Sequence, residues 1–177
     1  MKLGNSWKRY DKEVGKLLES YSSLTKAQLE FLSVKSDWNL YQVLEHLYYV
    51  EYLTFNAIQE RAGLGIKKKS AFRHQKRYYQ LAFALILPAK YKVPKAVENA
   101  EKPEINGDLS NLWKIHHSHL GDYIHSLPQT DKKVLLFKHP LAGPFNIMQT
   151  LGFLYYHLKH HHNQLNAIKK DSDFPSS

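Results

Sequence analysis

Tyr156-His157-Leu158-Lys159-His160-His161-His162-Asn163-Gln164 lies near the end of an apolar-periodic run over about residues 145–169. Along that run Met148, Leu151, Leu154, His157, His161, Leu165 and Ile168 recur at steps of three and four residues, the spacing of one face of an α-helix. His157 and His161 therefore leave the same face, one turn apart. Two imidazoles so placed commonly present nitrogen ligands to a divalent metal, as on the zinc-binding helix of metalloproteases. A third imidazole on a neighbouring helix would complete a three-nitrogen site with a position left for water or substrate. His46, far upstream, is the candidate for it.

Working outward from this run, the helical period continues and no long alternating strand pattern interrupts it. A first helix is predicted over about residues 6–21, with Trp7, Tyr10, Val14, Leu17, Leu18 and Tyr21 on one face. Ser22-Ser23-Leu24-Thr25 breaks it, Thr25 caps a short turn through Glu30, and Lys35-Ser36-Asp37 reads as a connector. Asp37 or Asn39 offers an N-cap for a second long helix over about residues 40–61. Its inward stripe reads Val43, His46, Leu47, Val50, Leu53, Thr54 and Ala57, and Gly63 and Gly65 supply a glycine stop. Residues 67–90 are basic first, then apolar up to Pro88, and read either as a further helix or as part of a crossover.

Residues 91–106 read as a long irregular connection. A third bundle helix is predicted over about residues 109–127, capped by Asp108 or Ser110 and stopped by Pro128. Leu112, Ile115, His116, His119, Leu120, Tyr123, Ile124 and Leu127 are expected inward. Phe137-Lys138-His139-Pro140-Leu141-Ala142-Gly143-Pro144-Phe145 is a turn-rich lead-in to the fourth helix. The expectation is an all-α chain, a four-helix bundle with a long crossover between the second and third helices. Residues 1–170 would form a single domain and residues 171–177 a flexible tail.

Composition narrows the classes of function. At 177 residues the chain is long enough for one domain with a real core, and 43% hydrophobic residues argue against disorder. No stretch approaches the roughly 20 apolar residues of a membrane-spanning helix, and residues 1–9 turn polar at once, without the apolar core of a secretory signal. A soluble, cytoplasmic protein is expected. With no cysteine, any transition-metal site must be built from His, Asp or Glu. The charge of +9 and pI near 9.5 invite a nucleic-acid reading. Basic residues nevertheless occur along most of the chain and cluster only at Lys67-Lys68-Lys69 and from Arg73 to Arg77. An alternative function is therefore a non-catalytic basic module for nucleic acid or an anionic surface. Tyr-rich helix faces also suit a homodimer interface.

Eleven histidines invite separate readings. His46 is either a core-edge imidazole satisfied by a carbonyl or a ligand from the second helix. Three inward histidines on two helices are costly in an apolar bundle unless they share a purpose, since each buried imidazole needs partners. His160 and His162 point roughly 100° to either side of His161 and read as rim residues. Gln164 shares the His157 and His161 face, where it suits the second nitrogen of a ligand or a bound water. His116, His117, His119 and His125 form a second cluster, in which His116 and His119 face inward by spacing and read as core or cavity wall rather than as ligands. His139-Pro140 is an extended turn feature, and His74 belongs to the basic stretch and is expected to be exposed.

The ordered set of Asp37-Trp38-Asn39-Leu40, Val43-Leu44-Glu45-His46-Leu47, His139-Pro140 with Gly143, and His157 and His161 with Gln164 resembles the DinB/YfiT-like superfamily. These are four-helix-bundle metalloenzymes in which a Trp opens the second helix. One His on that helix and an HxxxH pair on the last are ligands, and a His-Pro-x-x-Gly element precedes the last helix. The resemblance runs in order and spacing from about residue 7 to residue 169, while residues 67–103 match nothing in it. It implies His46, His157 and His161 as ligands, with Gln164 beside them, for a divalent ion described variously as zinc, nickel, iron or manganese. It also implies a small-molecule substrate, since some relatives are transferases that join a low-molecular-weight thiol to an electrophile. A thiol S-transferase or a hydrolase is expected, in a cavity lined by Tyr48, Tyr49, Phe153, Tyr155 and Tyr156. Neither nucleic acid nor membrane is an expected partner on this reading.

Overall fold

Helix α1 (Leu3–Ser22) buries the face read from its sequence, with Trp7, Tyr10, Val14, Leu17, Leu18 and Tyr21 inward. The computed structural model describes residues 3–34, 36–65, 68–87, 103, 105, 107–128 and 132–176. Thr25 caps α2 (Lys26–Glu30) by a reciprocal pair: Gln28 N donates to Thr25 Oγ1 at 3.3 Å, and Thr25 N donates to Gln28 Oε1 at 3.0 Å. The same device starts α3 (Leu40–Gly63). Gln42 N donates to Asn39 Oδ1 at 2.8 Å and Asn39 N to Gln42 Oε1 at 2.9 Å. Asn39, not Asp37, is therefore the cap.

The segment that the sequence left between helix and crossover contains α4 (Phe72–Ile86). His74 is 3% exposed rather than at the surface, because its Nδ1 turns back to accept the Ala71 N–H at 2.8 Å. Most of the predicted irregular connection over residues 91–106 lies outside the described residues. Asp108 caps α5 (Leu109–Ser126) through the Ser110 N–H at 2.9 Å.

The face that α5 buries differs from the expected one. Trp113, His117 and Gly121 are inward with Leu120 and Ile124, whereas Ile115 and His119 are exposed. The reason lies at Gly121: a Cβ there would stand 2.7 Å from the Trp7 indole. The missing side chain lets α1 press its largest residue onto α5, and that contact rotates the helix away from the Ile115 stripe.

The turn-rich lead-in is an antiparallel hairpin, β1 (Leu135–His139) and β2 (Gly143–Asn146), in an otherwise mainly helical chain. Strands of five and four residues give too little alternation to stand out in a sequence. Leu135, Leu136, Phe137 and Phe145 bury most of the hairpin. Its turn is tied by His139 Nδ1, which accepts the N–H groups of Leu141 and Ala142 at 3.2 and 3.1 Å. Gly143 closes the turn at φ +80°, a conformation that L side chains rarely adopt. Phe145 is thus a strand residue, and α6 (Ile147–Lys169) starts two residues later behind a third reciprocal cap, between Asn146 and Gln149.

Among the long helices, α1 packs against α5 and α6, α3 packs against the same two, and α4 lies on α6 and β2. The core runs between them as one cluster from Leu3 to Ile168. Near the C-terminus Phe174 meets Phe31 edge-on at 5.5 Å, Gln28 Nε2 donates to Pro175 O at 3.0 Å, and Ser33 donates to the Asp171 carboxylate. Among the described residues no helix is long and apolar enough to cross a membrane.

Candidate metal centre

The two caps set the register of the two helices that meet at the site. From Asn39, α3 carries His46 inward after two turns; from Asn146, α6 carries His157 and His161 on successive turns. Their rings converge. Centroid separations are 5.1 Å for His46 and His157, 4.8 Å for His46 and His161, and 4.7 Å for His157 and His161. One nitrogen from each ring lies within 4.8 Å of the other two, and the Nε2 atoms of His46 and His157 are 3.3 Å apart. Two nitrogens each about 2.1 Å from a common tetrahedral ion would stand about 3.4 Å apart. The donor set, three imidazoles and no carboxylate, therefore fits a transition-metal ion in size and in chemistry.

Burial favours the neutral form of His157 and His161. Burial pushes His157 well below the usual imidazole range, and the neighbouring rings of His161 and His46 add to the shift. Burial likewise pushes His161 down to about 4, against an opposing hydrogen bond from Gln164. Neutral imidazoles keep the lone pairs that a ligand needs. His161 Nδ1 donates to Gln164 Oε1 at 2.8 Å, which leaves Nε2 as the free acceptor. The Gln164 amide is held in turn, its Nε2 donating to Ser36 Oγ at 3.4 Å, while Ser36 Oγ donates to Trp38 O at 2.7 Å.

Trp38 and Phe153 wall the cluster. Trp38 lies 4.9 Å from the His46 ring and nearly parallel to His161 at 6.1 Å. Phe153 stands 5.6 Å from His157 and 4.7 Å from His139, whose pKa burial lowers to about 4. Of the residues expected to line a cavity, Phe153 is at the cluster. Tyr155 and Tyr156 instead lie under the Arg9 guanidinium, 3.6 and 5.4 Å from their centroids. Tyr48 packs beside Tyr52, Trp113 and His116. His160 and His162 are half-buried beside the site, as their angular positions required.

A second polar centre went unread in the sequence. Glu51 is fully buried and accepts three hydrogen bonds: from Tyr10 Oη at 2.5 Å, Trp113 Nε1 at 3.1 Å and His117 Nδ1 at 2.9 Å. The other nitrogen of His117 meets Asp11 Oδ1 at 3.3 Å, and its ring stacks on Trp7 at 4.7 Å. Burial works against charge on His117, but the hydrogen bond and charge of Glu51, with Asp11, raise its pKa. The legible signal was Leu44, Tyr48, Glu51, Phe55 and Ile58 at helical spacing, an apolar stripe with one acid in it.

Comparison with curated proteins and with solved structures returns no match. A family model described as the DinB superfamily matches residues 9–165, a span that contains all three converging histidines and most of the core. The chain belongs to the DinB superfamily.

Proposed function

We propose that the protein is a metal-dependent enzyme whose divalent ion is held by His46, His157 and His161, on a scaffold we read as a four-helix bundle in which α4 lies within the crossover. The observation that carries this reading is the convergence of three imidazoles, with no carboxylate among them, within 4.8 Å. Such an ion would supply Lewis acidity, lowering the pKa of a water or thiol ligand or polarising an electrophile. The chain's own residues prepare the place for it. Gln164 fixes the tautomer of His161, Ser36 holds Gln164, and Trp38 and Phe153 pack against the rings from two sides.

Transfer of a low-molecular-weight thiol to an electrophile is the reaction we assign first, with hydrolysis as its competitor; both use the same acidity. A homodimer in the cytoplasm completes the proposal, and light scattering tests the dimer. Elemental analysis of tag-free protein should find about one divalent ion per chain, and His46→Ala or His161→Ala should each lose it. Full occupancy in both variants would end the assignment. A transfer assay with several small thiols then separates transferase from hydrolase.

A further inference from the structure

Helix α4 has two apolar faces. The inner one, with His74, Ala82 and Leu85, is buried, and Tyr78 lies so close to Gly152 that no side chain fits there. The outer one is turned to solvent: Phe72 is 84% exposed, Phe83 64%, Tyr79 59%, Ile86 58% and Leu87 42%. On a helical wheel these five residues fall within an arc of roughly 100°, so they form one stripe rather than scattered exceptions. A contiguous exposed apolar stripe of this kind marks an interaction surface.

The charge around the stripe says what it meets. Between Glu60 and Glu98 the sequence has no Asp or Glu, while Lys and Arg recur throughout. Lys68, Lys69, Arg73, Lys76 and Arg77 are all exposed. Among the described residues none of the five pairs with a carboxylate. Lys76 lies inside the stripe, and Arg73 and Arg77 flank it.

We propose that the outer face of α4 docks on an anionic phospholipid surface, its aromatic and aliphatic tips entering the headgroup boundary and its lysines and arginines meeting lipid phosphates. Two other occupants fit less well. A second copy of this chain would set like charges against like across the interface. Single-stranded nucleic acid would stack on Phe72, Tyr79 and Phe83 but gives no role to Ile86 and Leu87. The surface is peripheral, consistent with the absence of a membrane-crossing helix among the described residues, and it is independent of the histidine cluster.

The test is co-sedimentation of the full chain with vesicles of phosphatidylcholine alone and of phosphatidylcholine mixed with phosphatidylglycerol. The protein should pellet with the mixed vesicles, weakly with the neutral ones, and less as salt screens the attraction. Phe72→Ser with Phe83→Ser should lower partitioning about tenfold or more, with an unchanged unfolding midpoint because both rings are solvated. His161→Ala should pellet like the parent. No pelleting with acidic vesicles overturns the proposal, as does full pelleting of the double variant. So does single-stranded DNA binding that the double variant loses while vesicles leave the parent in solution. A dimer that the double variant dissolves, without vesicle binding, would assign the face to a second copy.

Discussion

Two groups of buried imidazoles share one helix and have opposite chemistry. On one side of α3, His46 meets His157 and His161, and the group contains no carboxylate. On the other side Glu51 meets His117, whose second nitrogen is taken by Asp11. In the second group each imidazole nitrogen and each Glu51 oxygen has a partner, so the set is closed and stabilises the join of α1, α3 and α5. In the first, the Nε2 atoms of His46 and His157 stand 3.3 Å apart, and Gln164 takes the Nδ1 proton of His161. A polar cluster that pairs its own donors and acceptors is structural; three imidazoles gathered without a carboxylate are the arrangement on which the proposed metal site rests.

Removing one member from each group should separate the two most widely. Glu51→Ala strands the donors of Tyr10, Trp113 and His117 in the core and should cost roughly 3–5 kcal/mol in urea unfolding. His161→Ala in metal-free protein should cost much less, since it strands only an amide that also meets Ser36. Equal losses would erase the distinction.

Next in size is Gln164→Ala. Loss of the group that orients His161 should weaken metal affinity by roughly tenfold to a hundredfold, read by isothermal titration with zinc, with little change in the unfolding midpoint. Asp11→Asn, at the other group, should leave that affinity unchanged. Below that comes Asn39→Ala, which removes the cap of the helix common to both groups. About 1 kcal/mol of stability should go, while the titration of folded protein stays the same. A parallel fall in affinity would mean that the cap positions His46 actively.

The pH dependence separates the two environments by sign. His117 has a raised pKa, so its stabilisation is complete below the ordinary value of 6.5 and is lost as pH rises through the raised one. His139, held down to about 4, contributes stability that is present above 6.5 and lost as pH falls toward about 4. His117→Gln should flatten the alkaline limb of a stability profile, and His139→Gln the acid limb. A profile series by urea titration reads both, and a shared limb would show that the two rings are not separately tuned.

Much of this was legible in the residues. The stretch from Phe145 to Lys169 carried the period, the pair His157 and His161 and the partner Gln164, because a single helix turns spacing into direction. The start of α3 was legible as Asp37 or Asn39, and the Gln42 that follows Asn39 is the residue that chooses between them. The hairpin was not legible: its strands are too short to show a period, and what holds them is burial against α3 and α4. The wrong face of α5 has the same origin. Ile115 is as apolar as Trp113, and only the contact of Trp7 with Gly121 decides which of them faces in.

Local spacing thus determined, from the sequence alone, that four of the long elements are helices, about where they begin, and that His157 and His161 share a face. Those are properties of three to seven consecutive residues, governed by backbone geometry that repeats everywhere. Tertiary structure decided which faces meet: that His46 crosses to His157 and not to His116, that Glu51 finds three donors, and that the outer stripe of α4 finds none of the core. Such pairings depend on packing between residues tens to hundreds of positions apart. No window of sequence holds both partners at once.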